Sequence, residues 1–155
     1  MTDSDRAYAA GFFDGEGCIV IAFPKKSKSG RRYHRLDVAV AQVDPRPLRW
    51  LLDLYGGRLD TPTPREKGRP VWHWRLNGPT AEAFLRSVRP YLIVKAEQAD
   101  VAFEFRATVR RRTGGHKRSG AGAHAGWQSL DPVTGEVEQK REGLRKRLSG
   151  LKVVS

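Results

Sequence analysis

The chain has 155 residues, 29 Lys and Arg against 17 Asp and Glu, a net charge of +12, and 39% hydrophobic residues. That apolar share suffices for one core and excludes a wholly disordered chain, while so large a charge repels itself unless a polyanion neutralises it, nucleic acid being the natural partner. A single cysteine, Cys18, excludes an internal disulfide and a cysteine-based zinc cluster; no apolar run approaches a membrane span and the polar start carries no signal peptide, so the expected setting is intracellular, cytoplasmic in a prokaryote or phage or else organellar.

In chain order, Ser4 or Asp5 can cap a short helix running to Phe13, where Asp14-Gly15-Glu16-Gly17 ends it. Residues 18–23 alternate, with Ile19, Ile21 and Phe23 on one side and Cys18, Val20 and Ala22 on the other, which is the period of a strand. A basic turn over 24–31 leads into a second alternating run, 32–42, with Leu36, Val38 and Val40 on one face and Arg35 and Asp37 on the other. Asp44-Pro45, an acid cap followed by proline at the first helical position, starts a helix that carries Leu48, Leu51 and Leu52 and stops at Gly56-Gly57. Strands are expected over 58–61 and 71–76 around a polar turn, and the second of them places Trp72, Trp74 and Leu76 on the apolar face and His73 and Arg75 on the polar one. Asn77-Gly78-Pro79 starts a helix to Val88, Pro90 interrupts it, and a further helix runs from Ile93 into Arg110. The order α-β-β-α-β-β-α-α predicts an α+β fold: one antiparallel four-stranded sheet with helices packed on its apolar face. This domain is expected over 1–112. Residues 113–155 read as a basic extension, a Gly, Ser and His-rich linker partly disordered in isolation and then a short helix over 137–148.

The chemistry points to the segment Ala9-Ala10-Gly11-Phe12-Phe13-Asp14-Gly15-Glu16-Gly17. Ala7 and Gly11 lie four apart, as do Ala10 and Asp14, so each pair shares a helix face. Small side chains at that spacing let a second helix backbone come close. Two such helices side by side would bring two carboxylates together over the sheet, an arrangement suited to divalent metal and in-line attack on phosphodiesters. Read without that context, Asp-Gly-Glu-Gly is a helix stop and a turn.

The segment resembles the nonamer of the LAGLIDADG homing endonucleases, through Ala10, Gly11, Asp14, Glu16 and Gly17, with Ala9 where the usual residue is leucine. The order of elements over 8–110 is also similar to that family's α-β-β-α-β-β-α core, and residues 49–53 and 89–99 look like its later landmarks. The resemblance implies a DNA-binding saddle and a motif helix at a homodimer interface formed by Ala7, Ala10, Gly11 and Asp14. It further implies catalytic Mg²⁺ (or Mn²⁺) on Glu16 and the Gly15 carbonyl, with Asp14 as a structural acid closing the helix. Many relatives carry Asp where Glu16 stands. Lys95 falls where the family keeps a basic residue near the active site, able to activate the attacking water or to stabilise developing charge; an ordinary lysine at a helix start is the other reading. Gln42 and Asp44 end the second strand near the same place, and Gln42 is the candidate for holding the water network, Asp44 reading as a plain helix cap.

The polar sheet face offers Arg32, Arg35, Asp37, Arg58, Asp60, His73 and Arg75 to base edges, and Lys25, Lys26 and Lys28 to phosphates. Trp72 and Trp74 are expected in the core. His34, His73, His116 and His124 lack metal-ligand spacing with one another, and no Ser-His-Asp arrangement is arguable. The functional expectation is a homodimeric, metal-dependent endonuclease acting on a long pseudo-palindromic duplex, an intron-homing type of enzyme with no small-molecule cofactor and no membrane partner. The alternatives are a maturase-like or regulatory DNA- or RNA-binding protein that does not cut, and an assembly protein that uses its charge on RNA without metal.

Overall fold

The first helix is capped by Thr2, not by Ser4 or Asp5. The Thr2 hydroxyl accepts the Asp5 backbone N–H, and the Asp5 carboxylate accepts the Thr2 backbone N–H at 2.6 Å, a capping box that satisfies two otherwise orphaned donors. In the computed structural model, which describes residues 1–23, 34–63, 69–109 and 135–152, helix α1 then spans Asp3–Glu16. It therefore outruns the expected stop at Phe13, and both motif acids stand in its last turn rather than beyond it.

Strand β1 (Gly17–Ala22) follows without a loop and pairs antiparallel with β2 (Arg35–Gln42). Helix α2 (Pro45–Tyr55) has Asp44 at its N-cap, where the carboxylate accepts the Arg46 N–H, and it ends at Gly56 and Gly57, both at positive φ. Those glycines feed β3 (Arg58–Thr63), which is two residues longer than expected and pairs with β4 (Val71–Asn77) through an irregularity between Asp60 and Thr63. A Cβ on Gly57 would stand 2.6 Å from the Arg75 carbonyl, so only glycine lets this turn lie against β4. The sheet order is β1-β2-β4-β3, antiparallel throughout, with Pro62 on an edge strand where its missing N–H is tolerated.

Helix α3 (Gly78–Val88) leads through a 3-10 turn at Arg89–Tyr91 to α4 (Ala96–Ala107). Helix α4 starts three residues later than expected because residues 92–95 form a turn bound to α1, described below. All these helices lie on one side of the sheet. The inward residues Ile19, Ile21, Leu36, Val38, Val40, Trp74 and Leu76 pack with Ala10, Phe13, Leu51, Phe84, Leu85 and Phe105 into one core. Trp74 also donates its indole N–H to the Gly56 carbonyl at 2.8 Å. Trp72 packs against this core but is less deeply buried than Trp74. It is half-buried near the start of β4, with the Arg49 guanidinium 5.8 Å from its ring.

Helix α5 (Gly135–Leu151) is not a detached appendage: Leu144 and Leu148 belong to the same core as the sheet. Arg141 is buried beside α4 and donates to the Thr108 hydroxyl at 3.0 Å and the Thr108 carbonyl at 2.7 Å, which compensates for burying its charge. Arg147 pairs with Glu104, and Glu142 sits 3.3 Å from His34 at the start of β2.

Candidate functional site

The end of α1 holds the acids in two different states. Asp14 is half-buried, and its carboxylate accepts the backbone N–H groups of Ile93 at 2.7 Å, Val94 at 3.2 Å and Lys95 at 2.9 Å. An acid in the last turn of a helix faces the negative end of the helix dipole. Here it simultaneously faces the positive end of α4, which offsets that repulsion. The Lys95 ammonium donates to the Asp14 main-chain carbonyl, a second tie between the same two segments. Asp14 is therefore turned toward its own chain, away from the outer face of α1.

Glu16 lies two residues on and differs in every respect. It is exposed, and among the described residues it has no hydrogen-bond or ion-pair partner. No basic residue stands in the last turn of α1 to balance it. Gly15 and Glu16 occupy the turn whose carbonyls lack intrahelical donors, so main-chain oxygens accompany the free carboxylate. Gly17, next in line, has φ −83°, open to any residue, yet a Cβ there would lie 2.1 Å from the Phe13 ring. The passage from helix to strand is that tight, and it places Glu16 beside the first pair of the sheet, Gly17 opposite Val40.

The small residues of α1 divide by face. Ala7, Gly11 and Gly15 are exposed with Ser4 and Tyr8 along one stripe, and a Cβ on Gly11 or Gly15 would meet nothing within 4 Å. Ala10, expected at an intersubunit contact, is instead 0% exposed within its own chain, because it falls on the same face as Phe13. Gln42, proposed for a water network, is half-buried with its Oε1 accepting the neighbouring Val43 N–H at 2.8 Å. Asp44 caps α2, and the Arg46 guanidinium holds its carboxyl down at about 2.

The outward face of the sheet is polar and basic. By register, Ala22, Val20 and Cys18 on β1 face Arg35, Asp37 and Ala39 on β2, which continue into Asn77 and Arg75 on β4, and Arg58 and Asp60 on β3 complete it opposite Arg75 and His73. Arg35 binds Asp37 through two bonds, Nε–Oδ1 2.6 Å and Nη2–Oδ2 2.9 Å. Arg58 and Arg75 share Asp60, at Nε–Oδ1 2.6 Å and Nε–Oδ2 3.0 Å. His73 is half-buried in the same row as Asp60. Lys25, Lys26, Lys28 and Arg32 lie outside the described residues. Lys152, at the end of α5, was not singled out by the sequence; it places its ammonium 3.3 Å from the Cys18 sulfur at the rim of this face. No local pattern announces that contact, since it joins positions 134 apart.

No protein-family model matches the sequence, and no curated protein matches it. Solved structures match over almost the whole chain. The homing endonuclease I-CvuI, in complex with its target in the presence of Ca, superposes with a TM-score of 0.70 at 19% identity, covering 97% of this chain and 85% of that one. The archaeal intron-encoded homing endonuclease I-Vdi141I, complexed with DNA, gives 0.66 at 15% identity over 96% and 84% of the two chains. The meganuclease I-SmaMI, bound to uncleaveable DNA, gives 0.64 at 16% identity over 94% of this chain but 45% of its own. With helix, sheet and the acid-bearing helix end all in this arrangement, the protein has the LAGLIDADG homing endonuclease fold.

Proposed function

We propose that the protein is a site-specific DNA endonuclease that works as a homodimer with a divalent metal, Mg²⁺ or Mn²⁺. The observation that carries this reading is Glu16: a free carboxylate at the negative end of a helix, beside a basic sheet face, where an uncompensated acid lowers stability. A divalent cation is the counter-charge such an acid lacks. The donors on offer, the Glu16 carboxylate and the main-chain oxygens of the last helical turn including that of Gly15, are the hard oxygen ligands Mg²⁺ takes. Among the described residues no three metal-ligating side chains cluster in one chain, and in this reading a second copy and the phosphodiester itself would supply the remaining ligands. Bound there, the metal would supply Lewis acidity and an activated water for phosphodiester hydrolysis.

The rest of the geometry fits that proposal. The stripe of Ser4, Ala7, Gly11 and Gly15 leaves α1 open to close approach by the same helix of a second copy, which would bring two Glu16 carboxylates toward one two-fold axis. A chain such as I-SmaMI, of which this fold fills 45%, has room for two such units, whereas one I-CvuI chain corresponds to one. Lys95, fixed at the end of α1 through its bond to the Asp14 carbonyl, adds a cation beside the site. The outward arginines would face the duplex, and I-CvuI and I-Vdi141I, which share this fold, were both solved in complex with DNA.

Incubating the protein with a randomised duplex library, with Mg²⁺ and with chelator, and sequencing the cut ends tests the reading. Recurrent metal-dependent ends within one pseudo-palindrome are expected, and they disappear with Glu16→Gln while binding persists. Clean enrichment of a bound sequence without cutting would instead establish a non-cleaving binding protein on this fold.

A further inference from the structure

Two arginines directly opposite one another on neighbouring strands repel, and a sheet keeps such a pair only at a cost. Arg58 and Arg75 are such a pair on the outward face, and a single acid, Asp60, stands between them. The Asp60 side chain is 25% exposed, while those of Arg58 and Arg75 are 73% and 51% exposed, so the carboxylate lies low and the guanidiniums stand above it. Exposed ion pairs of this kind add little stability and do not by themselves account for gathering two cations here.

We propose that this cluster is a preorganised guanine reader, in which Arg75 makes the base contact and Asp60 is the positioning residue. The inference rests on the DNA-binding part of the function proposed above. Asp60 meets Arg75 at Nε, and no other described residue bonds its two terminal nitrogens. Those nitrogens form the two-pronged donor that matches O6 and N7 of guanine in the major groove. Arg58 is placed differently, with both Nε and Nη2 turned to Asp60, at 2.6 Å and 3.3 Å, which leaves it a flanking cation. The carboxylate at the centre also argues against a simple phosphate clamp, since it repels phosphate but tolerates the uncharged edge of a base. The contrast is Glu82, which also serves two arginines, Arg86 and Arg106, but on the helical side. There Arg106 is 12% exposed and stands against the protein, not above an open surface.

Positioning matters because an arginine side chain loses much rotamer freedom on binding; holding Nε in advance reduces that loss. The Gly56-Gly57 turn contributes, because it fixes the register that brings Arg58 opposite Arg75.

The test is selection of bound duplexes from a randomised library in chelator, followed by sequencing, for the full chain and for Arg75→Ala, Arg58→Ala, Asp60→Asn and Asp60→Glu. The full chain should prefer guanine at one position of each half-site by about ten- to a hundredfold. Arg75→Ala should make that position degenerate while the others keep their preferences. Asp60→Asn should weaken the same position and Asp60→Glu should restore part of it, whereas Arg58→Ala should lower affinity evenly at all positions. Retention of guanine in Arg75→Ala, or a loss spread evenly over all positions, overturns the inference and leaves DNA binding standing. Failure of the full chain to enrich any duplex overturns both the inference and the reading beneath it. Thermal melting of each variant identifies any that simply unfolds, and for Asp60 the Glu variant then decides.

Discussion

Lys95 donates its backbone N–H to the Asp14 carboxylate at 2.9 Å, and its ammonium to the Asp14 main-chain carbonyl, so one residue is gripped at both ends by the other. The negative end of α1 and the positive end of α4 meet at that point. Asp14 thereby becomes a structural acid, and the turn over residues 92–95 becomes part of the support under Glu16. Replacing Asp14 by Asn keeps the shape but sets an amide donor against N–H groups. The Asp14→Asn chain should lose about 1–3 kcal/mol of stability, read as a lower urea midpoint with an unchanged slope.

Glu16→Gln should move stability the other way. Removing an unpaired charge from the last turn of α1 is expected to raise stability by about 0.3–1 kcal/mol while abolishing metal-dependent cutting. A variant that is both inactive and less stable would show that Glu16 holds the fold together.

Gly17 and Gly11 separate a steric need from an interface need. Alanine at Gly17 meets the Phe13 ring at 2.1 Å and the Phe13 carbonyl at 2.5 Å, and Gly17→Ala should cost about 1–3 kcal/mol in thermal or chemical unfolding. Gly11 has open space around it, so Gly11→Ala should stabilise the single chain by about 0.5–1 kcal/mol through helix propensity. Gly11→Leu should nevertheless weaken self-association in sedimentation, because it props apart the helices proposed to meet there. Unchanged association would place the contact on another surface.

Helix α5 should be acid-sensitive. Arg145, at 2.6 and 2.7 Å, and then His34 hold the Glu142 carboxyl down at about 2, against an ordinary 4.5. A depressed carboxyl contributes its full stabilisation above its unfolded value and loses it as pH falls toward the folded one. The melting temperature of the native chain should therefore drop more steeply between pH 4.5 and about 2 than that of Glu142→Gln, the two curves converging at the acid end. Parallel curves across that window would show that the pair contributes nothing.

Much of the scaffold is legible in the residues themselves. Leu36, Val38 and Val40 alternate so cleanly that only one face can be buried, and Asp44-Pro45 and Gly56-Gly57 mark both ends of α2. The phase of α1 is less legible, because Ala7, Ala9, Ala10 and Gly11 are small all round the helix; the burial of Ala10 follows from the position of Phe13, which tertiary packing decides. The delayed start of α4 is a long-range effect, since it depends on Asp14, some 80 positions away from Val94. Helix α5 reads as a charged solvent helix because Leu144 and Leu148 are its main apolar anchors and the burial of Arg141 depends on Thr108, a partner in another element. In the outward face the individual charges can be read by alternation, whereas the sharing of Asp60 by Arg58 and Arg75 depends on cross-strand register.

The docking of α5 also sets a timetable for synthesis. Cys18 and Lys152 touch across 134 positions, and His34 and Glu142 across 108. In a growing chain β1, an edge strand of the sheet, therefore waits some 134 positions for the contact with the end of α5, and at about 5–20 residues per second that interval lasts from several seconds to about half a minute. During it, the half-formed sheet offers unpaired backbone to any neighbouring nascent chain, and polysomes carrying this message are where misassembly between copies would begin.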